Sequence, residues 1–171
     1  LPALSRYLIP LLSILNTIPG IVFIGMLVIL IGMTPTTVIT ALSVYAMFPV
    51  LKNTVAGLNG VDRQYKEAAR GCGMNHCQRL VQVELPLAMP TIIGGLRLST
   101  VYTVSWAVLA AMIGQGGLGD FVYKGVSSNN NALILQGAIP AAVLALVLGG
   151  LVDALQKRVV PKGLRKGGAE K

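Results

Sequence analysis

From Tyr7 to Leu51 the chain carries no Asp, Glu, Lys or Arg. A run of that kind is about twice what one helix needs to cross a bilayer. In lipid every backbone N–H and C=O must be satisfied within the segment, so the run must fold as helices. Gly32-Met33-Thr34-Pro35 supplies the break between two of them, and Pro35 suits the first turn of the second. The spacing predicts a first span over residues 17–33, after an entry segment broken by Pro10 and Pro19, and a second over residues 36–51.

The remainder repeats the theme. A third span is expected over residues 90–113, with Arg97 inside it. A fourth is expected over residues 132–155, with Pro140 inside and Asp153 near its end. Between them lie Gly114 to Asp120 and then a polar loop through Asn131. The chain is 54% hydrophobic and 12% charged, with few aromatics and 20 Gly, as in helices packed through small residues. Its net charge of +8 is gathered in two places. One cluster is Lys52, Arg63, Lys66, Arg70 and Arg79. The other is Lys157, Arg158, Lys162, Arg165, Lys166 and Lys171. Both flank apolar spans, so the positive-inside rule accounts for them and nucleic-acid binding is set aside. Four spans put both clusters on one side, which predicts a single topology with residues 52–84 and the basic tail of residues 156–171 in the cytoplasm. The whole chain, 1–171, reads as a single all-α transmembrane domain. It opens at Leu1 with no basic n-region or cleavage site, and reads as lacking upstream sequence.

Residues 52–84 form a polar island larger than a turn between spans needs. Asp62 is the expected N-cap of a short helix through Arg70, which Gly71 and Gly73 interrupt. Asn75 with Gln78 resembles a capping box for a second short helix, stopped by Leu85-Pro86. Two short helices set at an angle make a knob. A knob that docks into a partner's cleft needs a fixed polar contact, for which Glu67 is the candidate. It also needs small residues for close approach, offered by Ala68, Ala69, Gly71 and Gly73. The structural alternative is a Glu favoured by the helix dipole, beside alanines chosen for propensity. Cys72, His76 and Cys77 match no common zinc spacing, and they read as two reduced thiols beside a histidine.

Gly114 to Gly119 satisfies G-x-G-x-x-G, but a span too long for a strand precedes it and Ile139 stands near the acid position, so a dinucleotide site is rejected. The glycines suit a tight turn at the outer surface or a close backbone approach in a pore. No G-x-x-x-x-G-K-[ST] occurs, so any ATP must be bound by another chain. Arg97 either marks a functional path or snorkels to the interface. Asp153 and Lys157 are spaced as a helix ion pair. Ser99, Tyr102 and Trp106 share a helical face that could line a path for a small cation, or could simply pack between helices. Asn16, Thr17 and Tyr45 are weaker candidates of the same kind. No catalytic constellation and no metal set can be placed.

Several stretches together carry a family resemblance: Glu67-Ala68-Ala69 with Gly73; Val83-Glu84-Leu85-Pro86; Phe48-Pro49-Val50-Leu51-Lys52-Asn53-Thr54; Gly95-Leu96-Arg97; Gly114 to Asp120; and Gly137-Ala138-Ile139-Pro140-Ala141. Over nearly the whole chain this resembles the permeases of binding-protein-dependent ABC importers, in the osmoprotectant branch that carries glycine betaine, carnitine, choline or proline betaine. The resemblance implies a type I importer permease fold with a cytoplasmic coupling helix, usually with at least one further N-terminal span. It implies a bacterial inner-membrane location, a second permease subunit, ATPase subunits that use ATP and Mg, and an external binding protein. Glu67, Ala68, Ala69, Gly71, Gly73, Leu85 and Pro86 correspond to the ATPase-coupling motif. The permease does no bond chemistry. The rivals are an amino-acid permease, such as one for methionine, and a passive channel or structural membrane protein.

Overall fold

A computed structural model describes residues 17–111, 114 and 116–160. Among them every regular element is helical. Helix α1 spans Gly20–Ile31, α2 Pro35–Asn59, α3 Arg63–Gly71 and α4 His76–Arg79. A π-turn over Leu80–Glu84 carries α4 without a break into α5, Leu85–Ala110; then come α6, Leu118–Ser127, and α7, Asn131–Val159. Three of these helices are long and apolar enough to cross a membrane: Pro35–Asn59, the continuous His76–Ala110, and Asn131–Val159.

Four spans are expected; among the described residues three helices of crossing length follow the expected order of the second, third and fourth, with different edges. The first is described only as the 12-residue α1, which at about 1.5 Å per residue is shorter than the hydrocarbon core. The second does not stop at Leu51. Lys52 ends the apolar run but not the helix, which continues to Asn59 with Asn53 Nδ2 and Thr54 Oγ1 donating to the Pro49 and Val50 carbonyls one turn back. The island is thereby shortened to the knob that follows Asn59. Thr34 caps α2 through the Thr37 N–H, with Pro35 behind it.

The expected stop at Leu85-Pro86 is corrected: the helix runs through it. An α-helical Pro86 would lack a donor and press its ring on the preceding turn. The π-turn resolves this, with the Leu85 N–H reaching five residues back to the Leu80 carbonyl. The expected polar loop before Asn131 is also corrected. Gly114, Gly116 and Gly117 take positive φ and make the tight turn, and then α6 forms. Asn130 caps α7 through the Ala132 and Leu133 N–H groups.

Helices α2 and α5 make the largest pairing, α6 lies along α7, and α7 also packs on α5. The contacts are made by small residues. A Cβ on Gly95 would stand 2.5 Å from Asn53 Cβ, one on Gly137 would stand 2.5 Å from the Leu118 carbonyl, and one on Gly119 would collide with the Val108 carbonyl. Backbones therefore approach closely, which is how helices associate where lipid removes the hydrophobic drive. Large apolar residues such as Ile29, Leu30 and Leu146 face outward, 76–85% exposed. That is the inverse of a soluble core.

Candidate functional site: the polar knob

The knob is α3, the turn to Asn75, and α4. Helix α3 is tied to the bundle by Lys66 Nζ, which donates to the Leu58 carbonyl at the end of α2 (3.1 Å). At its other end, Gly73 N–H donates to the Arg70 carbonyl (2.9 Å) and Met74 N–H to the Ala69 carbonyl (3.1 Å), with Gly73 at φ 78°. This is a Schellman closure with glycine at its left-handed position. The expected capping box is formed: Asn75 Oδ1 accepts from Gln78 N–H (2.8 Å), and Gln78 Oε1 from Asn75 N–H (2.9 Å). Asp62 stands at the N-cap of α3 but makes no side-chain cap bond, contrary to expectation.

The surface is as polar as the sequence suggests. Glu67 is exposed and accepts from Arg63 Nε at 2.7 Å, one turn back on its own helix. Ala68, Gly71 and Gly73 are exposed, and among the described residues no atom beyond the local backbone lies within 4 Å of a Cβ built on either glycine. Ala69 differs from its expected role: it is 5% exposed and packs the knob from within. Leu85 and Pro86 are half-buried at the start of α5, away from the exposed tip. A groove of about 230 Å³ separates the knob from the bundle, with Tyr65 on one wall and Leu87 and Thr91 on the other. Cys72 and Cys77 are free, exposed thiols.

The expected polar face along α5 is divided by the structure. Ser99 is buried and donates to the Ala46 carbonyl (2.6 Å), so it joins α5 to α2 instead of facing a path. Trp106 is half-buried, 5.5 Å from the Tyr45 ring and filling the space over Gly20. Tyr45 in turn meets Phe23 edge-on at 5.4 Å and donates to the Ile18 carbonyl at 2.7 Å. These rings staple α1 to α2 and α5. Tyr102 alone of the three remains exposed. Asn16 lies outside the described residues.

Arg97 pairs with Asp153 at 3.2 Å, joining α5 to α7. The expected Asp153–Lys157 pair is replaced by this one. Its depth can be read from the antiparallel partner. Ser99 meets Ala46, and Gly95 meets Pro49 and Asn53, so Arg97 lies level with the point where α2 gains its first charge, Lys52. Three helices acquire charge at one level, which places Arg97 at the edge of the apolar slab and favours the snorkelling alternative.

The sequence reading passed over one cluster. Arg79 Nε donates to Glu84 Oε1 at 2.7 Å, and Arg79 Nη2 to His76 Nδ1 at 2.7 Å. An arginine cannot accept, so the His76 ring nitrogen must. Both charged side chains are about nine-tenths buried, at 10% and 12% exposure. The signal was the five-residue Arg–Glu spacing, which pairs across a π-turn and not across an α-turn.

Taken together, these features define a polytopic helical membrane protein that carries a polar two-helix knob continuous with a span. The chain belongs to the family of binding-protein-dependent transport system inner membrane components, whose family model matches residues 2–164. It is 40% identical over 165 residues to the carnitine transport permease protein OpuCB of Listeria monocytogenes, covering 96% of this chain and 76% of that one. It is 36% identical over 153 residues to the glycine betaine/carnitine/choline transport system permease protein OpuCB of Bacillus subtilis, covering 90% and 70%. It is 37% identical over 160 residues to the osmoprotectant import permease protein OsmW of Salmonella typhimurium, covering 90% and 74%.

Proposed function

We propose that this chain is the transmembrane subunit of an ATP-driven importer for osmoprotectants of the quaternary-amine class: glycine betaine, carnitine, choline and proline betaine. The observation that carries the reading is that relatives named for these solutes match 90% or more of the chain, knob and spans together. The knob is the coupling element. Glu67 meets a basic or amide group in the cleft of an ATPase subunit, and Ala68, Gly71 and Gly73 let the two surfaces come close. ATP and Mg are used by that subunit. A second permease, identical or not, completes the path, and an external binding protein delivers the solute. Knob and C-terminus face the cytoplasm of a bacterial cell, as the basic clusters favour. The exposed ring of Tyr102 offers the path an aromatic face that can attract a passing ammonium group.

Uptake assays on the assembled transporter test this. Unlabelled carnitine or choline should compete with labelled glycine betaine, and methionine should not. Glu67→Arg should insert normally and abolish ATP-driven uptake. Full uptake by that variant would refute the docking role, and competition by methionine alone would refute the substrate class.

A further inference from the structure

The ion pairs differ sharply in burial. Arg63–Glu67, Arg97–Asp153 and Lys124–Asp120 are largely open to solvent, whereas Arg79–Glu84 is enclosed. Burying two opposite charges gains little stability, because desolvation offsets their attraction, and apolar pairs of similar volume often do as well. What such a pair does supply is a geometry. Arg79 and Glu84 bracket the π-turn, with Arg79 at its entry and Glu84 its last residue. In an α-helix, neighbours on one face are three or four apart, so residues five apart diverge. The pair therefore closes only in the π register. That register in turn sets the rotational phase of α5 relative to the knob, by about 100° for one residue of slip. The second guanidinium bond, to His76 in the first turn of α4, extends the hold into the knob.

We propose that Arg79 and Glu84 are positioning residues that lock the π register and make the knob and the α5 span one rigid body. Displacement of the knob then appears as motion of α5 in the membrane, without being lost in a flexible joint. This rests on the docking role of the knob given above. It assigns the transmission to two residues enclosed within the chain itself.

The test uses the assembled transporter with Arg79→Gln, Glu84→Gln and the exchange Arg79→Glu with Glu84→Arg. One spin label is placed on the native thiol Cys72, in a Cys77→Ser background, and a second on α5 at Val101→Cys. The parent should give one narrow knob-to-span distance. Each single variant should broaden or shift it, and the exchange should restore it. Site-to-site couplings typically amount to a factor of about 5 to 150, so solute taken up per ATP hydrolysed should fall at least fivefold in the single variants while hydrolysis continues. Unchanged distances and an unchanged uptake-to-ATP ratio would overturn the proposal. Should the single variants fail to reach the membrane, Arg79→Met with Glu84→Leu removes both buried charges at once. It should assemble yet show the broad distance and the lowered ratio, and normal coupling there would overturn the proposal equally. The distance measurement does not involve the ATPase. A distance that broadens as expected in a chain that binds no ATPase would sink the docking role and leave the lock standing.

Discussion

Gly73 stands where two demands could each require glycine, and its substitution separates them. A partner surface pressed against the knob would exclude any side chain. The Schellman closure instead requires only that the residue accept φ near 78°. Among the described residues, nothing beyond its chain neighbours lies within 4 Å of a Cβ at this position, so the intramolecular penalty of Gly73→Ala is conformational, about 1–2 kcal/mol for an L-residue held in the left-handed region. Helix α3 has little with which to absorb that loss. It has nine residues, below the roughly 12–15 at which an isolated helix becomes even marginal, and Asp62 gives it no side-chain cap. A loss of 1–2 kcal/mol raises the open fraction about 5- to 30-fold. Trypsin cleavage after Arg70 should rise by the same factor when reclosing outpaces cleavage. Asn tolerates the left-handed region better than Ala although it is larger. The order of protease resistance, and of ATPase subunit retained in detergent, should therefore be Gly73, then Gly73→Asn, then Gly73→Ala. Retention that instead fell with side-chain size, Asn worse than Ala at equal protease resistance, would refute the backbone argument in favour of partner contact.

Gly95→Ala should lower the thermal stability of the detergent-solubilised protein, by about 1–3 kcal/mol, because the added carbon meets Pro49 and Asn53 across the α2–α5 seam. The adjacent Gly94→Ala, with open space at its Cβ, should be close to neutral in the same melt. Tyr45→Phe keeps the ring between Phe23 and Trp106 but loses the bond to the Ile18 carbonyl, and should cost about 0.5–1.5 kcal/mol of stability in that melt. In sealed right-side-out vesicles, a membrane-impermeant maleimide should leave Cys72 and Cys77 unlabelled until the vesicles are opened. Labelling from outside would reverse the topology argued from the basic clusters.

How far the sequence discloses this fold depends on which physical signal each element leaves. Apolar length gives the spans, because the bilayer sets a minimum that composition must meet. It does not give their ends, because a helix need not stop where lipid stops: α2 continues past Lys52 to Asn59. The capping box at Asn75 and Gln78 is local chemistry and could be read directly. Pro86 misled because a proline ordinarily ends a helix, and only a register change invisible to periodicity lets it pass. Ser99, Tyr102 and Trp106 share an angular position on paper. Which of them faces a neighbour depends on where α2 and α1 lie, and no single-helix pattern encodes that. Arg79 and Glu84 escaped for the same reason as Pro86: their partnership exists only once the π-turn does.

The length of the α5 assembly gives these details one mechanical meaning. His76 to Ala110 is a continuous 35-residue helix, about 52 Å at 1.5 Å per residue, against a hydrocarbon core of about 30 Å. The level of Lys52, Arg97 and Asp153 marks where the apolar slab ends, so the N-terminal portion of this helix projects beyond it with the knob at its tip. A projecting arm moves its far end only if it is stiff. The places where this arm should be weakest are Pro86, Pro90 inside α5 and the junction with α4. The π-turn accommodates Pro86, and the buried guanidinium, bonded to both His76 and Glu84, spans the junction. Along the projecting part, Gly57 packs on Ala88 and Thr91, and Lys66 ties α3 to the end of α2. Any tilt of the knob must therefore carry α2 with α5. On the proposed docking role, a force applied at Glu67 would reach the membrane through two packed helices moving together, and their close seam at Gly95 is where a bulkier residue should decouple them first.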